Sequence, residues 1–307
     1  MLKIILIAVV LFSLPFFAAT AMFGYLAEDP ADAPRLAVRT SETEAAAAAA
    51  TTLKVLSLNI AHGRGSVRNQ LFVARRSFED NLARISQVLR HHRADIVALQ
   101  EVDTISLWSG RFDHAEAIAS QAGYPWKAHA LHASSRLFSF GTALLSHLPI
   151  TSIQAQNFAP TPPTLRKGFV VGQVAWAKPG APAGETVMVD VVSVHLDFLS
   201  RPARDSQVEE MAEVLARRQN PLIVLGDFNS GWQEEDSPVQ RLAKRLHLQA
   251  FQPEGRQLAT HQNMRIDWIL ISPQLEFKSH ATLPDLVSDH LAIVAEVGLA
   301  GQGRVAN

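Results

Sequence analysis

The stretch Leu225-Gly226-Asp227-Phe228-Asn229 ends an apolar run that predicts a buried β-strand, and acidic and amide groups follow at once. Further along, Ser288-Asp289-His290 opens a second apolar run that starts at Leu291. Carboxylate, amide and imidazole groups are costly to bury beside hydrophobic strands unless they are paired or bind a ligand. The two stretches therefore predict a functional site at the end of a sheet.

Four more apolar runs contain a polar residue or are followed directly by one. They place Asn59 after 53–58, Gln100-Glu101 after 96–99, His195 after 191–194, and Asp267 inside 265–270. Six strands that each bring a polar group to one end describe an active site at the edge of a sheet.

The composition excludes several classes of function. The chain has 307 residues, with 28 Lys and Arg, 29 Asp and Glu, and a formal net charge of -1. This balance gives no overall basic field that would concentrate nucleic acid. The chain has no cysteine, which excludes disulfides, thiolate nucleophiles and cysteine-bound zinc.

The first 26 residues predict export. Residues 4–26 are almost wholly apolar, Lys3 precedes them, and the acidic residues Glu28 and Asp29 follow. A basic flank before an apolar run predicts a cytoplasmic N-terminus and a periplasmic or extracellular domain. Two outcomes remain open. The run is either a signal peptide cleaved near Ala21, or an uncleaved anchor long enough for a bilayer core of ~30 Å.

The rest of the chain divides by composition. Residues 27–52 are rich in alanine and proline and predict a linker, 53–299 form one catalytic α/β domain, and 300–307 form a flexible tail. Predicted strands cover 53–59, 95–100, 126–132, 140–146, 168–177, 186–196, 221–227, 265–271 and 291–297. Predicted helices start at a capping box on Ser77, at Asp113, near Ala203 and at Pro238.

The polar groups at the strand ends suit phosphate chemistry. Carboxylate and amide oxygens without cysteine favour a hard cation, Mg²⁺ or Mn²⁺. Two histidines provide one group to manage protons and one to donate to an anion. Such a set fits the hydrolysis of a phosphate ester, in which charge stabilisation and water activation are most of the work.

The order of these motifs resembles the endonuclease/exonuclease/phosphatase superfamily over nearly all of residues 53–298. The motifs that carry the resemblance are Leu58-Asn59-Ile60, Leu99-Gln100-Glu101-Val102-Asp103, Gly141–Ser146, Ser193-Val194-His195-Leu196, Gly226–Asn229, Ile266–Leu270 and Ser288-Asp289-His290. The resemblance implies a four-layer α/β sandwich, with two mainly antiparallel sheets packed face to face and flanked by helices.

The resemblance also implies a metal site. Glu101 would be the main metal ligand, with Asn59 and Asp289 nearby, and the cofactor would be Mg²⁺ or Mn²⁺. Abasic-site nucleases of this superfamily have an acid two residues after the first asparagine, whereas this chain has Ala61. The difference weakens a two-metal interpretation and a close kinship with those nucleases.

The remaining motif residues would handle protons and phosphate. The resemblance implies that His290 acts as general base or phosphate contact and is oriented by Asp267, so that the two side chains should lie within about 3.2 Å. It implies that Asp227 positions the attacking water or protonates the leaving group, and that Asn229 and His195 hold phosphate oxygens. Arg166 opens a strand as a phosphate-facing cation, or alternatively as a charge that protects a solvated edge strand.

Three functions follow as hypotheses. The first is an exported Mg²⁺-dependent phosphodiesterase that acts on a phospholipid or sphingolipid headgroup by metal-assisted water attack. The second is an exported endonuclease, exonuclease or nucleotide phosphatase, although the charge balance does not favour nucleic acid. The third is a catalytically silent binding module on the same fold. The chain is expected to act as a monomer, and to contact the membrane through residues 4–26 if these are not cleaved.

A reporter that functions only in the periplasm, fused after residue 52, is expected to be active, because the charges on both sides of the apolar run set its orientation. Activity of a cytoplasm-specific reporter alone would contradict export. Sequencing of the mature N-terminus then separates the two outcomes. A chain that starts at Met22 indicates cleavage, whereas a chain that retains Lys3 indicates an anchor.

Overall fold

The computed structural model describes residues 51–66, 73–178, 182, 184–252, 254–255 and 258–301. Within them, two six-stranded sheets pack face to face, and helices cover both outer faces. The expected four-layer α/β sandwich is confirmed. The predicted signal peptide or anchor, almost all of the linker and most of the C-terminal tail lie outside the described residues.

Twelve strands build the two sheets. They are β1 Leu53–Asn59, β2 Ile96–Asp103, β3 Trp126–Ser134, β4 Ser139–Ser146, β5 Ile150–Asn157, β6 Gly168–Ala177, β7 Thr186–His195, β8 Leu222–Asp227, β9 Gln249–Ala250, β10 Asp267–Ile271, β11 Leu275–Thr282 and β12 Ile293–Leu299. The first sheet has the order β11-β12-β1-β2-β4-β3, and the second has the order β5-β6-β7-β8-β10-β9. Each sheet contains one parallel pair at its centre, β1 with β2 and β7 with β8, and its other pairs are antiparallel.

The four α-helices of the described residues are α1 Arg75–His92, α2 His114–Ala122, α3 Arg201–Leu215 and α4 Pro238–Arg245. Asp113 accepts a hydrogen bond from the Glu116 amide and caps α2, as predicted. The capping box on Ser77 is wrong, because α1 starts two residues earlier and Ala74 stands at its N-cap without a side-chain bond. Among the described residues, no helix is both long and apolar enough to cross a membrane.

Successive side chains of each central strand point to opposite faces of its sheet, so they pack alternately into the core between the sheets and into the core beneath the helices. Val55 of β1 packs into the core between the sheets, whereas its neighbour Leu56 packs against α1. In the second sheet Leu225 faces the core between the sheets and Val224 faces the α3 and α4 side. Because both faces are covered, these strands are continuous apolar runs, which is why the sequence identifies them readily.

Three strands were not predicted. β5 and β11 lie at sheet edges, and in each only the first residue is buried while the rest are partly or fully exposed; β9 has only two residues. Edge strands carry polar side chains that discourage pairing with other chains, so their apolar signal is weak.

Removal of side-chain volume from the core between the sheets should destabilise the whole sandwich. Ile269 is fully buried there, so Ile269→Ala is expected to lower the free energy of unfolding by about 2–5 kcal/mol. Ile105 is 50% exposed, and Ile105→Ala is expected to change it by no more than about 0.5 kcal/mol. Urea denaturation measures both values. Equal effects of the two variants would contradict the assigned core.

Candidate active site

The central strands of both sheets bring the predicted polar residues to one end of the sandwich. In the parallel pair of the first sheet, Asn59 stands opposite Gln100, next to Glu101. In the second sheet Asp227 stands between His195 on one side and Asp267 on the other. The strand ends therefore converge, as the sequence predicts, on a single site that both sheets share.

Acids and imidazoles alternate through this site in one continuous network. The closest nitrogen-to-oxygen distances along it are Asp103–His62 2.6 Å, His62–Glu101 3.3 Å, Glu101–His195 3.9 Å, His195–Asp227 3.5 Å, Asp227–His290 3.8 Å and His290–Asp267 2.9 Å. The network passes from β2 of the first sheet to β7, β8 and β10 of the second. Four of its seven members are acids and three are histidines, and the two types alternate along its length.

The pair of Asp267 and His290 has the predicted geometry. Nδ1 of His290 donates a hydrogen bond of 2.9 Å to Oδ2 of Asp267, which confirms the expected contact. The other ring nitrogen, Nε2, lies 3.8 Å from Oδ2 of Asp227. Burial lowers the pKa of His290, but the charges of Asp267 and Asp227 outweigh it and raise that pKa to about 10.

Asp227 is a buried carboxylic acid with a pKa near neutrality. Burial and the charge of Asp267 raise the pKa of Asp227 to about 7, against the opposing charge of His290. Its Oδ2 accepts a hydrogen bond of 3.0 Å from the Asn59 amide, and its Oδ1 accepts one of 2.9 Å from the backbone N–H of Asn229. The carboxylate is thus fixed in position while its protonation remains adjustable at physiological pH.

Glu101 is directed into the site by a bulge. The register of β2 with β4 shifts between Leu99 and Val102, and Glu101 has a left-handed φ of 54°. Burial opposes its ionisation, yet His62, His195, Lys167 and Arg64 together hold its pKa well below the usual range. Glu101 is therefore a carboxylate at any working pH, which a metal ligand requires.

Asp289 contacts a cation that the sequence did not single out as a site residue. The Arg64 guanidinium lies 2.6 Å from Asp289 Oδ2 and 4.0 Å from Glu101 Oε2. The structure therefore links two of the three predicted metal ligands through one arginine. The third, Asn59, donates to Asp227 and accepts from the backbone N–H of Ala61.

The predicted phosphate-holding residues lie at the same end. The side-chain amide of Asn229 donates a hydrogen bond of 3.1 Å to the backbone oxygen of Leu196, which follows His195. Burial and the charge of Lys167 keep the pKa of His195 well below its ordinary value, although carboxylates lie on both sides of the ring. His195 is consequently neutral and can act as a hydrogen-bond donor without carrying charge.

Arg166 lies in the turn before β6, half-buried, and its neighbour Lys167 is the cation that acts electrostatically on the site. Lys167 is buried, lies over the Phe140 and Phe198 rings, and lowers the pKa of Glu101. Sequence reasoning chose Arg166 of the pair because residue order alone does not reveal which side chain turns inward.

His62 and Asp103 were also missed. Nδ1 of His62 bonds Asp103, and its ring packs edge-on against Phe140 at 4.9 Å between centroids. Burial lowers the pKa of His62, but the charges of Asp103 and Glu101 raise it further than burial lowers it. Their positions in the sequence could have identified them. His62 lies three residues after Asn59, the first motif asparagine, and Asp103 is the last residue of the motif that contains Glu101.

The donor set fits a hard divalent cation. Glu101 and Asp289 supply carboxylate oxygens, and Asn59 supplies an amide oxygen, which is the ligand chemistry of Mg²⁺. Oδ1 of Asp267 is buried and accepts no hydrogen bond from the described residues, so the site retains a free anionic oxygen. A second group of ligand atoms, from His261, Asp289 and His290, lies within 4.8 Å of one another. Asp227, Asp267 and His290 form another such group, and His290 is common to these two clusters.

Comparison with known proteins identifies the family. The profile of the endonuclease/exonuclease/phosphatase family matches residues 56–290. The chain belongs to this family. Like other members, it is a metal-dependent phosphoric ester hydrolase. No curated protein matches the sequence.

Solved structures share the fold of this family member at low sequence identity. An endonuclease/exonuclease/phosphatase from Beutenbergia cavernae has a TM-score of 0.63 and 20% identity, over 82% of this chain and 72% of that chain. A mannosyl-6-phosphatase from Bacteroides thetaiotaomicron has a TM-score of 0.55 and 16% identity, over 80% and 99%. TDP2 from D. rerio, complexed with a single-stranded DNA product, has a TM-score of 0.58 and 13% identity, over 81% and 100%.

In metal-free protein, His290 is expected to stay protonated well above neutral pH. Nitrogen NMR of its imidazole should show a cation at pH ~8, because its folded pKa of about 10 lies above the ordinary value near 6.5. Asp267→Asn should lower that pKa, since it removes the largest attractive charge. Half-buried His147, whose pKa is lowered by burial, is the control and should be neutral at the same pH.

The raised pKa of His290 also makes the stability of the protein depend on pH. A raised folded pKa means that the contribution of His290 is fully present below pH ~6.5 and is lost as pH rises toward about 10. The difference in unfolding free energy between the parent and His290→Gln should therefore shrink over this window. A neutral His290 at pH ~8, or a difference that grows with pH, would contradict the assignment.

Proposed function

We propose that this family member is an exported Mg²⁺-dependent phosphodiesterase that cleaves the headgroup ester of a phospholipid or sphingolipid. The observation that carries the proposal is the pairing of two buried groups with separated pKa values, about 7 at Asp227 and about 10 at His290, whose charged atoms lie 3.8 Å apart. Two titratable groups whose environments separate their pKa values can divide the acid and base roles of one reaction.

In the proposed reaction, His290 holds a phosphate oxygen. A group with a pKa of about 10 is protonated at neutral pH, so His290 serves as a charged donor rather than as a base. Its second nitrogen already donates to Asp267, which fixes the ring and leaves Nε2 for the substrate. Of the two roles that the sequence left open for His290, the phosphate contact is therefore the one proposed.

Asp227 takes the proton of the attacking water. With a pKa of about 7 it is ionised in a large fraction of molecules at neutral pH, and it can accept a proton as the water oxygen bonds to phosphorus. The bond from phosphorus to the leaving oxygen then breaks, and this oxygen takes up a proton from solvent and departs as an alcohol. Neutral His195 and the amide of Asn229, next to Asp227, donate hydrogen bonds to the remaining phosphate oxygens.

Glu101, Asn59 and Asp289 would hold the Mg²⁺ ion. When bound, Mg²⁺ neutralises charge that develops on phosphate oxygens. Arg64 pairs with Glu101 and Asp289 and so holds these two carboxylates close together. Lys167 adds a buried positive charge that acts on Glu101.

A lipid substrate is supported by the chain outside the catalytic domain. Residues 4–26 form an apolar run with the charge pattern of an export signal or anchor, which would bring the domain to a membrane. The net charge of -1 gives no general attraction for nucleic acid. Relatives of this fold act on different phosphate esters, so the substrate class has to be tested directly.

A substrate screen tests the proposal. The full chain with Mg²⁺ is expected to hydrolyse sphingomyelin or glycerophospholipids with a higher kcat/KM than single-stranded DNA or sugar phosphates, and excess EDTA should abolish the activity. Glu101→Gln should lower kcat/KM by at least ~10²-fold, comparable to the loss of one strong transition-state contact. Glu185→Gln, at an exposed position far from the site, is the matched control and should be unaffected.

Three results would contradict parts of the proposal separately. A preference for DNA or for sugar phosphates would refute the lipid substrate and leave the hydrolase mechanism standing. Full activity in excess EDTA would refute the metal. Unchanged turnover of Glu101→Gln would refute its assignment as main ligand.

A further inference from the structure

Large apolar side chains are exposed mainly at one end of the sandwich. Among the described residues, the large apolar side chains with high exposure, 41–70%, are Ile105, Leu107, Leu137, Phe198, Leu199, Met264 and Leu286. Single exposed apolar residues are normal on a protein surface. Here all seven fall in connections at the end that carries the active site, which a random scatter would not produce.

The strand register establishes this placement. β2 ends at Asp103, opposite Phe140 of β4, so Ile105, Leu107 and the β3–β4 turn with Leu137 lie beyond that end. β7 ends at His195, opposite Asp227, so Phe198 and Leu199 follow the strand out of the same end. Five of the seven therefore surround one flank of the site. These five, Ile105, Leu107, Leu137, Phe198 and Leu199, are called the apolar rim below.

Contacts beneath the apolar rim make it continuous. The backbone N–H of Leu107 donates a hydrogen bond of 2.9 Å to the oxygen of Leu137. Trp108 and Phe138, their next neighbours, stack at 5.0 Å between ring centroids. On the other side, the Lys167 ammonium lies 5.7 Å from the centre of the Phe140 ring and 5.9 Å from that of Phe198. A buried aromatic and cationic layer thus joins the two halves of the rim to the site.

The charge around the apolar rim favours a phospholipid surface. Exposed Arg136 lies next to Leu137, and half-buried Arg166 lies in the segment that leads into β6. Apolar side chains bordered by arginine suit a bilayer interface, where the apolar side chains enter the acyl boundary and the arginines meet phosphate groups. A purely protein partner would not require that the rim surround a phosphate-ester site.

The sequence outside the described residues brings a bilayer within reach. Residues 4–26 are apolar, and the 27–52 linker separates them from β1. A flexible chain of that length has an end-to-end distance of about 25–30 Å. That distance allows the catalytic domain to lie against the membrane into which the apolar run would insert, in whichever orientation its own surface favours.

We propose that the apolar rim docks on the lipid bilayer and holds the active site face down over lipid headgroups. This inference rests on the proposed lipid substrate, which it deepens by assigning the surface that reaches the substrate. The opposite end of the sandwich, which includes exposed Gln219 between α3 and β8, then faces water. The partner is a phospholipid surface, and the rim determines the orientation that the tether leaves open.

The absence of cysteine makes site-specific labelling a clean test. Leu137→Cys, Leu199→Cys and Gln219→Cys are made singly in the full chain, labelled with an environment-sensitive fluorophore and reconstituted into vesicles of phosphatidylcholine and phosphatidylglycerol. Labels at 137 and 199 should shift their emission to shorter wavelength and be quenched by nitroxide-bearing lipids. The label at 219 should stay aqueous, although the same apolar run tethers it.

The outcomes separate docking from catalysis. Labels at 137 and 199 that remain as aqueous as the label at 219 would overturn the docking face. Labels that become apolar without lipid would also overturn it, because a second copy or the chain's own N-terminal segment would then cover the rim. Phospholipid hydrolysis is measured in the same samples. Insertion without hydrolysis refutes the lipid substrate alone, and hydrolysis without insertion refutes the docking face alone.

Discussion

The hydrogen bond from the Asn59 amide to Asp227 joins the two sheets at the place where the active site forms. Asn59 ends β1 in the first sheet and Asp227 ends β8 in the second, and both are buried. A polar atom left unpaired at this depth costs about 1–3 kcal/mol, so the pair favours one packing of sheet on sheet. The site is consequently a product of the whole sandwich, and no contiguous segment of the chain could build it alone.

The same packing explains why the pKa values of three histidines in one network shift in different directions. His62 and His290 stand at its two ends, each held by an aspartate, and both have raised pKa values. His195 stands between Glu101 and Asp227, yet burial and Lys167 lower its pKa. Protonation is therefore favoured at the two outer histidines, on both sides of the neutral donor His195 and of the position where phosphate would bind. Burial strengthens each of these interactions because the surrounding dielectric is low.

Sequence patterns predicted the central strands and the residues at their ends, because strands covered on both faces are long apolar runs and a polar residue that ends one is conspicuous. The same reasoning failed at β5 and β11, whose exposed faces carry polar residues. It also failed for His62, Arg64 and Lys167, which lie in connections without periodicity. Their direction depends on backbone turns such as the left-handed φ of 54° at His62, which propensity does not specify. The Ser77 capping box failed because α1 begins two residues earlier, where exposed Arg75 pairs with Glu79 one turn along.

The two-sided cover of each sheet leaves only strand ends and connections for function, and this constraint links the site to the apolar rim. Polar groups occupy the centre of that end because both sheets contribute buried strand termini there. Apolar side chains occupy its flank, where exposure to water is unfavourable by about 25 cal/mol for each Å² of apolar surface. Five partly exposed side chains can supply only a modest affinity for a bilayer. If residues 4–26 are retained as an anchor, they would raise the effective concentration of the domain at the surface, and a modest affinity would then suffice to orient it. Weak docking also lets the domain release and sample new headgroups, which a phosphodiesterase acting on lipid would require.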